Sequence, residues 1–108
     1  MVKTGQEIEG IIKQYTAKLM ELGIRVERVI LFGSYANGHP REDSDIDLIV
    51  VSKDFERMNI REKLEILGIA SARIMQPIQA KGYTPQEIES KEKDLFLSEV
   101  LEHLKIAA

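Results

Sequence analysis

Two aspartates set two residues apart, Asp45 and Asp47, open the apolar run Ile46-Asp47-Leu48-Ile49-Val50-Val51. Side chains of an extended strand alternate between faces, so Asp45 and Asp47 project to one side. Two carboxylates crowded on one face repel each other unless a cation lies between them. Oxygen-only ligands on a rigid strand suit Mg²⁺, an ion commonly shared with a substrate's phosphates. Upstream, Gly33-Ser34 ends a second apolar run, Val29-Ile30-Leu31-Phe32. Gly33 allows torsions that a side chain would block, and Ser34 can turn its amide and hydroxyl toward an anion. The stretch from 29 to 51 therefore offers a phosphate-holding turn beside a Mg²⁺ site. An ordinary solvated loop would not need Asp47, because aspartate is a poor strand residue and is seldom buried without a partner.

Gly33-Ser34, a loop of ten residues, then Asp45-Ile46-Asp47 resembles the signature of the polymerase-β-like nucleotidyltransferases. The short chain and the run GSYANG…SDIDLIVV resemble the minimal nucleotidyltransferase subfamily in particular. Gly-Ser or Asp-x-Asp alone is a weak signal; both together, each joined to an apolar strand in this order, are specific. The resemblance runs from the first helix to Tyr83-Thr84-Pro85. It implies an α+β fold, a small mixed sheet flanked by helices, filling residues 1–108 as a single minimal nucleotidyltransferase domain. It also implies that Gly33 and Ser34 hold a nucleoside triphosphate, and that Asp45 and Asp47 are catalytic and hold Mg²⁺. A third carboxylate on the next strand completes a metal site in that family and accepts the proton of the attacking hydroxyl. Attack falls on the α-phosphorus, and pyrophosphate leaves.

The chain departs from this pattern at the third acid. Counted back from Tyr83-Thr84-Pro85, that acid falls at Gln79, and no Asp or Glu lies between Met75 and Gln86. Glutamine offers a carbonyl oxygen but no charge and no basic site. Loss of a general base typically costs ~10²–10⁴ in rate. Two expectations follow from the resemblance. One is a Mg²⁺-dependent enzyme that transfers AMP from ATP to a hydroxyl, a tyrosine of a helical HEPN-domain partner, and so acts as an antitoxin. The other is a nucleotide-binding regulatory module that restrains such a partner by contact, its chemistry weakened by Gln79.

Composition narrows the field. At 108 residues one core is expected and a second is not. Hydrophobic content of 44% with 31% charged residues fits a soluble globular chain. A net charge of −3 disfavours nucleic acid as the main partner, which needs clustered Lys and Arg. The absence of cysteine excludes disulfides, thiolate metal sites and cysteine nucleophiles, and agrees with a cytoplasmic location. No run approaches membrane-spanning length, and MVKTGQEIEG has no apolar signal region.

The elements that must position these residues are legible from periodicity and caps. Residues 4–22 read as a helix on the stripe Ile8, Ile11, Ile12, Tyr15, Leu19 and Leu22, with Thr4 and Glu7 as a capping box and Gly23 as the stop. Ile24–Phe32 follows as a first strand. Tyr35–Gly38 suits a short helical turn, and His39 and Arg41 fall in a polar loop, with Arg41 within conceivable reach of a triphosphate. Asp45–Val51 is the second strand, in which Ile49 and Val51 continue the aspartates' face under packing. Ser52–Met58 reads as a polar connection. Asn59 caps a helix whose face is expected to be Ile60, Leu64, Leu67 and Ile74, broadened by Ile66 and Ile69, ending before Pro77. Ile78–Tyr83 is the third strand, with Gln79, Lys81 and Tyr83 on one face. A final helix runs from the Thr84-Pro85-Gln86-Glu87 cap through Ile88, Leu95, Phe96, Leu97, Val100, Leu101 and Leu104. Any of that broad face left uncovered would suit a partner or a second copy in a homo-oligomer.

Overall fold

The three caps read from the sequence form as expected, and each fixes where an element starts. Thr4, Asn59 and Thr84 each accept from the backbone three residues on, and Glu7, Glu62 and Glu87 each return the bond. A computed structural model describes residues 2–90 and 94–107, with side chains through Glu102. In chain order the elements are α1 (Gly5–Glu21), β1 (Arg28–Phe32), α2 (Ser34–Asn37), β2 (Ile46–Val51), a 3₁₀ turn (Lys53–Arg57), α3 (Ile60–Arg73), β3 (Ile78–Tyr83), α4 (Pro85–Glu89) and α5 (Leu95–Ala107).

The sheet is small and mixed, in the order β1-β2-β3. β1 runs antiparallel to β2, with Ile30 opposite Ile49 and Phe32 opposite Asp47. β3 runs parallel to β2, with Gln79 beside Asp47 and Lys81 beside Ile49. A parallel pair needs a crossover, and α3 supplies it.

Alternation divides the core in two. Ile46, Leu48 and Val50 point to one face and are sealed by α1 (Ile8, Ile11, Tyr15, Leu19) and α3 (Leu67, Ala70). Tyr15 is wholly buried there, and its hydroxyl donates to the Leu67 carbonyl at 2.9 Å, as a buried phenol must find an acceptor. Ile49 and Val51 point to the other face with Ile30 of β1 beside them, and Leu97 and Leu101 of α5 cover them. No described helix is long and apolar enough to cross a membrane.

Five expectations are corrected. The second strand starts at Ile46, so Asp45 lies just before it rather than within it. The first strand starts at Arg28, not Ile24; residues 24–27 lead into it, held by Arg25 N–H donating to Asp54 at 2.7 Å and Glu27 N–H to the Val51 carbonyl at 2.8 Å. The connection after β2 is not merely polar, since its 3₁₀ turn buries Phe55 against Gly82. The α3 stripe is rotated: Leu67 and Ala70 are buried, whereas Ile60 is 74% exposed and Leu64 57%. The small side chain of Ala70, not the larger Ile60 and Leu64, meets the core. The final helix is two helices, because Asp94 starts a new one by accepting from Leu97 N–H at 3.1 Å. The expected contribution of the Leu104 side chain lies outside the described side chains.

Candidate active site

Gly33 and Asp47 are built as one unit. β1 and β2 are antiparallel, so the end of β1 lies beside the start of β2, and Gly33 follows Phe32 directly opposite Asp47. Gly33 has φ 75° and ψ −153°, a region open in practice only to glycine. A Cβ placed there would lie 2.9 Å from Asp47 Cγ and nearer still to Oδ2. Glycine is thus required twice, for its torsions and for the room it leaves to the carboxylate.

Ser34 opens the single turn of α2, as the short helical turn read in this loop suggested. The Gly33 carbonyl accepts from Ala36 and Asn37 N–H at 3.1 and 2.9 Å, and Gly38 in a left-handed conformation ends the turn. The first amides of a helical turn have no partner within it, and among the described residues the Ser34 hydroxyl makes no hydrogen bond. Tyr35 anchors the turn by packing on the core and by accepting from Lys3 N–H at 3.4 Å. His39 and Arg41 are exposed in the following loop. Arg41 N–H bonds Ser44 Oγ at 2.8 Å, and among the described residues its side chain makes no ion pair with Asp45 or Asp47.

Asp45 is exposed and Asp47 half-buried. Burial raises the Asp47 carboxyl above its ordinary range; the neighbouring Asp45 charge raises it further, and Lys81 works the other way. Asp45 lies immediately before β2 and Asp47 is its second residue, so the two acids stand at the same end of the strand. A Mg²⁺ ion, called for by the resemblance, fits this pair. Its donors are hard oxygens, their mutual repulsion is what a divalent cation relieves, and Gly33 leaves the room that the Asp47 carboxylate occupies. No third ligand completes the set: Gln79 occupies the β3 position beside Asp47, and the described residues contain no group of three His, Cys, Asp or Glu able to hold a metal.

The sequence did not reveal the aromatic wall. Phe32, opposite Asp47 and hence on its face, meets the Phe96 ring edge-on with centroids 5.3 Å apart. Lys81 Nζ lies 4.1 Å from the centre of the Phe96 ring. The register of Phe32 could have been anticipated from its place before Gly33. The arrival of Phe96 from a helix far along the chain leaves no local signal.

A β1–Gly-Ser–β2 frame with paired aspartates at its open end is the arrangement of the nucleotidyltransferases. The family model of the nucleotidyltransferase domain matches residues 12–106, and the chain belongs to that family. A Methanocaldococcus jannaschii protein inferred to be a protein adenylyltransferase is 42% identical over 66 residues, which cover 60% of this chain and 65% of that protein. A protein adenylyltransferase of Thermococcus cleftensis is 41% identical over 56 residues, covering 51% of this chain and 52% of that one. The chain thus spans less than two-thirds of the length of these relatives. A crystal structure of a Sulfolobus solfataricus protein inferred to be a nucleotidyltransferase shares 26% identity, covers 83% of this chain and 84% of its own, and superposes with a TM-score of 0.51.

Proposed function

We propose that the chain is a Mg²⁺-dependent nucleotidyltransferase that transfers a nucleoside monophosphate, AMP from ATP, to a tyrosine hydroxyl of a HEPN-type partner and thereby acts as an antitoxin. The observation that carries this reading is the fusion of turn and acid: the space a Gly33 side chain would need is held by Asp47. Relatives named protein adenylyltransferases support the nucleotide and the protein acceptor. The Gly33-Ser34 turn takes the triphosphate. Asp45 and Asp47 hold the Mg²⁺ ion, which supplies shielding of the phosphate charge and polarisation of the phosphoryl oxygens when bound. The acceptor oxygen bonds to the α-phosphorus, the bond from that phosphorus to the bridging oxygen breaks, and pyrophosphate departs with the electron pair. Gln79 cannot take the acceptor's proton, so it passes to solvent, and transfer is slow.

Gln79 beside Asp47 also favours a second reading, in which the chain binds nucleotide and restrains its partner by contact alone. Incubation with labelled ATP, Mg²⁺ and a HEPN-type partner separates the two. Label on a partner tyrosine, lost with Asp47→Asn, supports transfer; a tight complex without label supports restraint by contact. Gln79→Asp should raise the rate by ~10²–10⁴ if the missing base limits it.

A further inference from the structure

The site lacks a third acid, and a cation stands close by. Asp47 and Gln79 are neighbours across a parallel pair, so their side chains share a face, and Lys81 follows two residues later on that same face. Lys81 is exposed, yet its side chain turns back on the protein. Its Nζ rests over the Phe96 ring at 4.1 Å, and Phe96 is braced edge-on by Phe32, the residue opposite Asp47. A cation over an aromatic face is attracted by the ring's quadrupole, modestly at an exposed site, so the ring biases the ammonium toward the aspartates' side of the sheet. A second divalent ion at this end of the sheet would have to share the oxygens of Asp45 and Asp47, would gain from β3 the neutral amide oxygen of Gln79 in place of a carboxylate, and would face the like charge of Lys81.

We infer that the site takes one divalent ion per nucleotide, with the Lys81 ammonium, seated on Phe96, standing in place of a second. The inference rests on the nucleotide-binding reading above and deepens it. The pattern Gln-x-Lys on β3 then is a change of cation at the site: a mobile divalent ion and its acid are replaced by a tethered monovalent charge. Such a site grips the triphosphate but does not supply the proton acceptor, so binding is retained more fully than rate.

The test counts metal rather than product. Mn²⁺ is titrated into the full chain held with an equimolar non-hydrolysable ATP analogue, and the free ion is followed by electron paramagnetic resonance. The unaltered chain should take up one equivalent. Lys81→Met should weaken analogue binding about threefold to tenfold, and Lys81→Arg, which keeps the charge and stacks on an aromatic ring, should restore it. Gln79→Asp combined with Lys81→Met should take up a second equivalent. Thermal unfolding checks that each variant is folded. Two equivalents in the unaltered chain, or unchanged affinity in Lys81→Met, would overturn the inference while leaving the nucleotidyltransferase reading intact. If the unaltered chain binds neither Mn²⁺ nor the analogue, that broader reading falls, and this one with it.

Discussion

The two faces of β2 are made by alternate residues of one strand, yet they have opposite characters. Ile46, Leu48 and Val50 are wholly buried under α1 and α3 from one end of the strand to the other. On the other face only Ile49 and Val51 are covered, by α5, while Asp47 is half-buried at the uncovered end. One face is therefore packing throughout, and the other changes from packing to chemistry within two residues. A carboxylate can sit at the start of a core strand because the stability of the strand is secured on its opposite side. The closed face stabilises the frame; the half-open face leaves the acids accessible to a cation.

Adjacent substitutions should pull these roles apart most strongly. Leu48→Ala removes a wholly buried side chain from the closed face and is expected to cost about 2–5 kcal/mol of stability, read as a lower denaturation midpoint. The folded fraction should still bind Mg²⁺-nucleotide with little change. Asp47→Asn should do the reverse, losing Mg²⁺-nucleotide binding while leaving the midpoint equal or slightly raised, because it removes a charge that burial and Asp45 both disfavour. Titration calorimetry and urea unfolding on the same two variants give both halves. If Leu48→Ala weakened binding as much as Asp47→Asn, the division between the faces would not hold.

Gly33→Ala lies on the seam and should affect both properties. The torsions at Gly33 are strained for any other residue, at about 1–3 kcal/mol. The new methyl group must also displace the Asp47 carboxylate. Nucleotide binding should fall together with stability, a double loss that neither neighbouring variant shows. Smaller still should be Asp94→Ala, which removes the cap of α5 and with it about 0.5–2 kcal/mol. Because α5 carries Leu97 to the sheet and Phe96 to the aspartates' wall, the variant should loosen the half-open face and leave the closed one unmoved. Hydrogen exchange resolved by strand would show faster exchange in α5 with α1 protected as before.

The parts of this arrangement that are local were legible in the sequence. The apolar run around Asp47 marked β2, and the family resemblance, counted back from Tyr83-Thr84-Pro85, put Gln79 at the third acid's position, which the strand register sets beside Asp47. The three capping boxes marked their helices because side chain and backbone three residues apart are enough to form them. What failed depended on distant partners. Helical spacing permits several stripes on α3, and only the approach of the sheet and α1 selects Ala70 over Ile60 and Leu64. The spacing from Ile88 to Leu95 suited one continuous helix, and the apolar pattern masked Asp94, whose capping role is evident only once the chain has turned. Phe96 and Lys81 meet across elements that the sequence does not join.

The pH response of the unliganded chain gives the finest measure of how far the faces differ. Folding raises the Asp47 carboxyl, chiefly by burial and then by the Asp45 charge, against the opposing Lys81. The folded chain keeps this proton at a pH where the unfolded chain has lost it. The associated stability is therefore full below the ordinary aspartate range and is lost as pH rises through the raised value. Urea midpoints of the unaltered chain, compared with Asp47→Asn across about pH 3 to 6, should fall in that window and then run level. Mg²⁺ with nucleotide should reverse the sign, since a bound cation favours the ionised carboxylate and lowers its affinity for the proton. A difference that stayed level without Mg²⁺ would mean that Asp47 is solvated like any surface acid, and that the open end of the half-covered face begins deeper in the sheet than β2 indicates.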